Sequence, residues 1–190
     1  MYDIAIIGAG PAGASAAIYT AKAGKKTLVI DSDKGVTKRA WFENFYGIKE
    51  IDGPSLVDIG IEQLKKFGAE YVQDEATDAA KTEEGFSITT AGGQTYQAKH
   101  VILATGFSVE LGQKLGAAVK DGTEPRVKSI FDVDAQGRTS VPGVWAAGTA
   151  AGVSVHGIIT AGDGAKVAIN LISELNGERY VDHDVMKPKE

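Results

Sequence analysis

The segment Gly8-Ala9-Gly10-Pro11-Ala12-Gly13 has the spacing G-x-G-x-x-G, and the chemistry it suits is done by backbone. Gly8 permits a tight turn, Gly10 lets the main chain approach a pyrophosphate, and Gly13 lets the next helix lie close to a sheet. Pro11 and Ala12 complete the turn. A helix opening here offers free N–H groups and the positive end of its dipole to phosphate. Asp31, which ends the following apolar run, has a carboxylate suited to ribose hydroxyls, with Ser32 beside it. A glycine-rich turn without a ligand is the plainer reading. The context disfavours it, because the motif lies between a buried-strand run and a helix and is followed by the acidic residue it requires.

The elements that must position these residues are legible around them. Ile4-Ala5-Ile6-Ile7 and Thr27-Leu28-Val29-Ile30 are short continuous apolar runs, as in strands buried on both faces. Ala14 to Ala23 is alanine-rich and helical, ended by Gly24. Together they form a βαβ unit with a right-handed crossover. Residues 32–52 show no period and read as a long functional connection. Pro54 opens a helix with Val57, Ile61, Leu64 and Phe67 at helical spacing, ended by Gly68. From Ala69 to Ala98, Tyr71 and Val72 included, alternation and the turns at Glu84-Gly85 and Gly92-Gly93 predict antiparallel hairpins.

Val101 to Ala104 returns to the buried-strand type, and residues 106–122 take no clear assignment. Ile130 to Val133 and Val144 to Ala147 read as further strands, and Val155 to Leu175 as a closing helix. The expected fold is α/β, a central parallel sheet with helices on one face and an antiparallel β-meander on the other. A single domain over residues 1–181 is expected, with a loose tail at 182–190.

Composition narrows the function. The 24 glycines cluster beside apolar runs, which marks places where backbone comes close to a ligand or to another element. A formal charge of −5 gives no reason to expect nucleic acid or an anionic membrane as partner. With no cysteine, disulfide frameworks, thiolate metal sites and dithiol relays are excluded. No stretch approaches the roughly 20 apolar residues that span a bilayer, and no signal-peptide pattern precedes the first strand, so a cytoplasmic location is expected. His100 beside a strand and His183 in the tail lack the clustered partners of a metal site.

The glycine motif alone does not separate FAD from NAD. Ala104-Thr105-Gly106, after a buried strand that follows hairpins, resembles the second signature of two-dinucleotide-binding flavoproteins. Thr139-Ser140-Val141-Pro142-Gly143-Val144-Trp145-Ala146-Ala147-Gly148 resembles the third. Glu43-Asn44-Phe45 and Ile159 to Gly164 are similar to further segments of one such family. Over most of its length the chain resembles the FAD domain of the thioredoxin reductase family, which implies a Rossmann-like FAD-binding domain.

Carried over residue by residue, the resemblance implies that Gly8, Gly10, Pro11, Ala12 and Gly13 cradle the pyrophosphate of FAD. Asp31 and Ser32 would hold the adenosine ribose, and backbone near Ala76 would meet the adenine. Asn44 and the 34–38 loop with Lys38 would lie along the flavin side. Ala104, Thr105 and Gly106 would approach the cofactor again, as would Gly148 and Thr149. The helix beginning near His156-Gly157 would aim its N-terminus at the flavin N1–C2=O2 edge, where a helix dipole stabilises the reduced anionic flavin. An NAD-binding protein without flavin would leave the second and third signatures unexplained.

Three departures accompany the matches. The family inserts an NADPH-binding domain with a Cys-x-x-Cys between the Ala-Thr-Gly strand and the Pro-Gly-Val segment. Here only residues 107–141 stand between them, and the chain has no second G-x-G-x-x-G and no cysteine. Ala147-Gly148-Thr149 replaces Ala-Gly-Asp, leaving a hydroxyl in place of a carboxylate, and Val155-His156-Gly157 replaces Arg-Gln-Ala. His156 either contacts the flavin and moves a proton, or is an ordinary histidine at a helix start. Trp41, Phe42, Phe45 and Tyr46 form a wall near the isoalloxazine, a dimer contact, or a hydrophobic anchor for their loop.

The expected function is that of an FAD-dependent oxidoreductase or electron carrier. Its electrons would come from free NAD(P)H, a partner reductase or a small-molecule substrate. A homodimer is expected, as in the family. The alternative is a non-catalytic FAD- or nucleotide-binding module or sensor subunit. No residue stands out as a catalytic base.

Overall fold

A computed structural model describes residues 1–182 and 184–186. Strand β1 (Tyr2–Ile7) leads through the glycine turn into helix α1 (Pro11–Lys22), and β2 (Thr27–Asp31) returns parallel to β1. The aperiodic connection contains a 3-10 turn, Val36–Arg39, and two short antiparallel strands, β3 (Trp41–Phe42) and β4 (Ile51–Asp52). Helix α2 (Gly53–Lys66) starts as its sequence dictates. Asp52 accepts the Ser55 N–H at 2.9 Å as N-cap, and Pro54 occupies the first turn.

Strand β5 (Glu70–Gln73) follows and pairs parallel with β2. This corrects the expectation of hairpins from Ala69 onward. Tyr71 and Val72 belong to the edge of the parallel sheet, because α2 acts as a crossover that returns the chain alongside β2. The antiparallel part begins one strand later, with β6 (Ala76–Thr82), β7 (Gly85–Thr90) and β8 (Thr95–Leu103) joined by the two expected turns. Strand β8 serves both halves of the sheet. Its residues 95–98 pair with β7, and its residues 98–103 pair parallel with β1.

The unassigned stretch contains a short helix, α3 (Glu110–Lys114), and β9 (Val119–Asp121). The expected strand near Ile130 is β10 (Ser129–Phe131), and it pairs antiparallel with β9 outside the main sheet. Its Phe131 joins the meander-side core, while the buried Ile130 lies against Gly152. Phe131 lies so tightly on Gly112 of α3 that any side chain there would strike the ring. Strand β11 (Val144–Ala146) then joins β8 in parallel, and α4 (Gly157–Asn176) closes the chain.

Alternation along the buried strands splits the core in two. Ile4, Ile6, Val29, Ile102 and Trp145 face the helices, whereas Ala5, Ile7, Leu28, Ile30, Val101 and Leu103 face the meander, where Phe86 and Ile88 cover them. On the helix side, the small residues of α1 let α4 come very close. A Cβ on Gly164 would run into the backbone of Ala12. The expected loose tail is partly tied down, since Lys22 meets Asp182 at 3.0 Å. His183 and residues 187–190 lie outside the described residues.

Two glycines of α4 give a contrast within one helix. Gly164→Ala should destabilise the fold by about 2 kcal/mol or more, because backbone must move to admit the methyl. Gly162 has nothing within 4 Å of its Cβ position, so Gly162→Ala should stabilise by about 0.5–1 kcal/mol through helix propensity. Urea denaturation of the two variants beside the parent checks both signs.

Candidate functional site

The three glycines of the turn have different reasons for being glycine. Gly8 has φ +102°, and a Cβ there would strike the Ala104 carbonyl. A Cβ on Gly13 would collide with the Gly8 carbonyl oxygen. Both are required by packing. Gly10, the N-cap of α1, has φ −65° and would meet only Thr37 Oγ1, at 3.7 Å. Nothing in the fold forbids a side chain at Gly10, so the need for bare backbone there comes from the cleft it lines. No side chain caps α1 and its first turn has no acid, which leaves its N–H groups and dipole available to an anion.

Asp31 is fixed by two main-chain donors. Oδ1 accepts from Ala9 N–H at 2.8 Å and Oδ2 from Asp33 N–H at 2.9 Å. Each oxygen keeps a lone pair for a ribose hydroxyl. The surroundings are negative: the partly buried Tyr71 hydroxyl is pushed up to about 12, chiefly by desolvation and then by Asp31, Asp33 and Asp58.

A cleft of about 390 Å³ opens beside this carboxylate, within the range of small-molecule sites. Gly8, Gly10, Asp31, Ser32, Ala76, Ala104, Thr105 and Gly106 line it, so eight of the sequence-derived residues come together on one surface. Charged side chains also stand there. Lys34 pairs with Glu75 at 2.7 Å, and Lys114 Nζ donates to the Thr77 carbonyl at 2.7 Å.

A second lobe of about 160 Å³ continues from the first, sharing Gly10, Ala104 and Gly106 with it. Pro11, Ala12, Thr149 and Gly157 line it, with Thr37, Phe42, Phe107, Val155 and Thr160. The start of α4 therefore abuts this lobe. Gly157 is required there because a Cβ would lie 2.8 Å from the Phe42 ring. The two lobes share Gly10, Ala104 and Gly106 beside the N-terminus of α1, so the start of that helix borders both.

Five sequence-derived residues lie outside the lining. Gly13 acts through packing, as above. Gly148, φ +72°, is buried against Ala12, and its N–H donates to Asp163 Oδ2 at 2.8 Å. Lys38 is held in an ion pair by Asp33, which also raises its pKa, so its ammonium is already engaged. Asn44 is exposed in the connection after β3. His156 is the N-cap of α4, and its Nδ1 lies 2.7 Å from Ser154 Oγ, which draws the ring to its own loop.

The aromatic cluster divides. Phe42 faces the second lobe and packs edge-on to Phe45 at 6.2 Å, while Trp41 and Tyr46 are exposed. His100 is half-buried in β8, and burial lowers its pKa. No group that could hold a metal occurs among the described residues.

Sequence reasoning missed Asp163. It is buried in α4, bonded to Gly148 and paired through Oδ1 with Lys166 at 2.7 Å. A carboxylate is thus present under the Gly148-Thr149 turn although position 149 itself is threonine. The available signal was helical spacing, which puts Asp163 on the same stripe as Thr160, Gly164 and Val167. Glu75 and Lys114 were also missed, since nothing in their local sequence marks a cleft, and Lys34, from the loop expected along the flavin, lines the first lobe instead.

The sequence model described as "Pyridine nucleotide-disulphide oxidoreductase" matches residues 2–130. A thioredoxin reductase of Listeria monocytogenes is 42% identical over 123 residues, covering 62% of this chain and 37% of that protein. One from Aquifex aeolicus is 41% identical over 112 residues, covering 56% and 34%. The chain therefore spans little more than a third of the length of the curated relatives it matches. Among solved structures, the atypical thioredoxin reductase TRi from Desulfovibrio vulgaris Hildenborough superposes with TM-score 0.82 at 22% identity, over 94% of this chain and 99% of that one. A thioredoxin reductase from Gloeobacter violaceus gives 0.82 at 18%, over 98% and 99%. At these identities the structural likeness establishes the fold.

Gly10→Val should separate binding from folding, because its Cβ fits the protein and blocks only the cleft. Added FAD should no longer co-elute with this variant on gel filtration, while its circular dichroism melt matches that of the cofactor-free parent. Retained yellow colour would count directly against a pyrophosphate over Gly10.

Proposed function

This chain belongs to the pyridine nucleotide-disulphide oxidoreductase family, and from that premise we propose that it is an FAD-dependent oxidoreductase or electron carrier. FAD is the cofactor of the family. The observation that carries the reading is the pair of lobes that share Gly10 at an uncapped helix N-terminus, where packing leaves room for a side chain and the sequence has none.

Bound FAD would supply reversible two-electron chemistry at its isoalloxazine ring. The chain supplies position and charge. The α1 N-terminus and Gly10 hold the pyrophosphate, Asp31 the ribose, and Ala76 with Thr77 the adenine end. The 20-residue helix α4 brings its uncapped N-terminus to the second lobe at Gly157, where its dipole favours negative charge. Thr149 contributes a hydroxyl to the same lobe, and Asp163 fixes the turn that presents it. Electrons come from free NAD(P)H, a partner reductase or a small-molecule substrate, all arriving where residues 107–141 replace a longer insertion.

An FAD-binding module or sensor subunit without turnover is the second reading. The turning of His156 toward Ser154 favours it, since no acid or base then faces the second lobe. The absorbance spectrum of the purified protein, followed by anaerobic NADH, NADPH and finally dithionite, separates the readings. Flavin bands that bleach with a nicotinamide identify a reductase and its donor. Bands that yield only to dithionite support a carrier or sensor fed by a partner. A colourless protein that takes up no FAD would overturn both.

A homodimer in the cytoplasm belongs to the same proposal. No helix of the described residues is long and apolar enough to cross a membrane. An uncharged cleft of about 290 Å³ lies between α1 and α2, lined by Ile18, Phe45, Ile48, Leu56 and Ile59, which suits a second copy of the chain. Light scattering should give twice the chain mass at micromolar concentration, and Ile59→Glu should halve it. A monomeric mass for the parent protein would refute the dimer.

A further inference from the structure

Residues 107–141, the short stretch between the second and third signatures, build part of the first lobe: Ser108, Glu110, Leu111 and Lys114 all line it. Helix α3 is firmly seated there. Leu111 and Leu115 are buried in the meander-side core, and the Cβ position of Gly112 is taken by the Phe131 ring and Leu103. From that base Lys114 reaches β6, where its Nζ donates to the Thr77 carbonyl at 2.7 Å and pairs with Asp78 at 3.3 Å.

Thr77 is a special residue of its hairpin. In the register of β6 with β7, Ala76 pairs with Thr90 and Asp78 with Thr89, so Thr77 is the extra residue of a β-bulge. A bulge leaves that residue outside the ladder and bends the strand, a common way to re-aim backbone beside a binding site. Ala76 and Thr77 both line the first lobe with Asp31. A carbonyl outside the ladder needs a donor from elsewhere, and α3 supplies it. On the other side of Ala76, Lys34 from the loop after β2 holds Glu75 at 2.7 Å. Ala76 therefore sits between two anchored neighbours. The side chains of Lys114 and Asp78 are 49% and 64% exposed, so their contact adds little to the stability of the fold. Its effect is on where the bulge lies.

We propose that Lys114 is a positioning residue for the adenine end of the cofactor. By holding the Thr77 carbonyl it fixes the bulge, and the bulge fixes the main-chain donors and acceptors of Ala76 and Thr77 that read the purine edge. This rests on the FAD reading above and deepens it, giving α3 a binding role of its own. Main chain held in one geometry distinguishes purines, because adenine carries a donor at N6 where guanine carries an acceptor at O6. A relaxed bulge loses that distinction before it loses purine binding altogether.

The test measures ADP and GDP binding to the full chain, freed of any flavin, by titration calorimetry. The parent should prefer ADP by about tenfold or more. Lys114→Met keeps the apolar stem and removes the donor. It should weaken ADP by about tenfold and GDP by less, so that the preference narrows. Lys114→Arg should restore ADP binding to within about twofold of the parent. Asp78→Asn should leave it in place, because the carbonyl and not the ion pair carries the effect. The melting temperature of the cofactor-free protein should be the same in all three variants. A Lys114→Met protein that binds ADP as the parent does, or that loses ADP and GDP by one common factor, would overturn the assignment. A parent that takes up no FAD, yet keeps a Lys114-dependent preference for ADP, would overturn the FAD reading and leave Lys114 positioning an adenine nucleotide. A parent that binds neither FAD nor ADP would overturn both.

Discussion

The structure depends on one backbone contact. The turn from Gly8 to Ala12 is packed from three sides by residues that have no side chain to spare. Gly13 lies on the Gly8 carbonyl, Gly164 of α4 lies on the Ala12 backbone, and the Cβ position of Gly148 is 2.7 Å from Ala12 Cβ. Sheet, first helix, last helix and the turn after β11 therefore meet at van der Waals distance around a single loop. A close-packed interior transmits any displacement there, because no slack exists to absorb it. The same contact that makes the helix layer compact holds the α1 N-terminus rigid beside both lobes. Binding and stability are thus drawn from one set of glycines, with Gly10 as the member that packing does not claim.

How much of this was legible follows from how local each signal is. The βαβ unit, α2 with its start at Pro54, both hairpin turns and α4 are set by residues close in sequence, and each is found within a few residues of where its pattern indicated. The identity of β5 was not legible. A four-residue edge strand beside a parallel sheet looks the same as a meander strand until its partner is known, and the partner, β2, lies far back in the chain. Residues 106–122 hid for another reason. Their elements, α3 and β9, are five and three residues long, and their partners lie elsewhere: α3 packs on Phe131 and β9 pairs with β10.

The site divides along the same line. The residues expected to act through backbone, Gly8, Gly10, Ala76, Ala104, Thr105 and Gly106, line the first lobe together with the Asp31 carboxylate. The long side chains are placed otherwise. Lys38 is engaged by Asp33 and His156 by Ser154, both partners lying within a few residues in regions the motif does not constrain. A backbone cradle is dictated by the fold, whereas the aim of a long side chain is decided by whichever neighbour reaches it first. The exchange of an acid for Thr149 shows the complementary case, in which a carboxylate from another element, Asp163, anchors the same turn.

Strand β8 joins the meander to the parallel sheet and ends at the cleft floor. Its register with β1 pairs Tyr2 with Ala98 and Ile7 with Leu103, so the chain must close a loop of most of the domain's first half before those bonds exist. Loop closure of that size is entropically slow to reward, and β11 can dock only after β8 is in place. Order of assembly follows from topology: the N-terminal βαβ unit and the meander can each begin from local contacts, and the cleft between them is completed last. A nascent or refolding chain therefore reaches its ligand-competent state only at the end of folding, and a dinucleotide acts on the finished fold as a latch, not as a template.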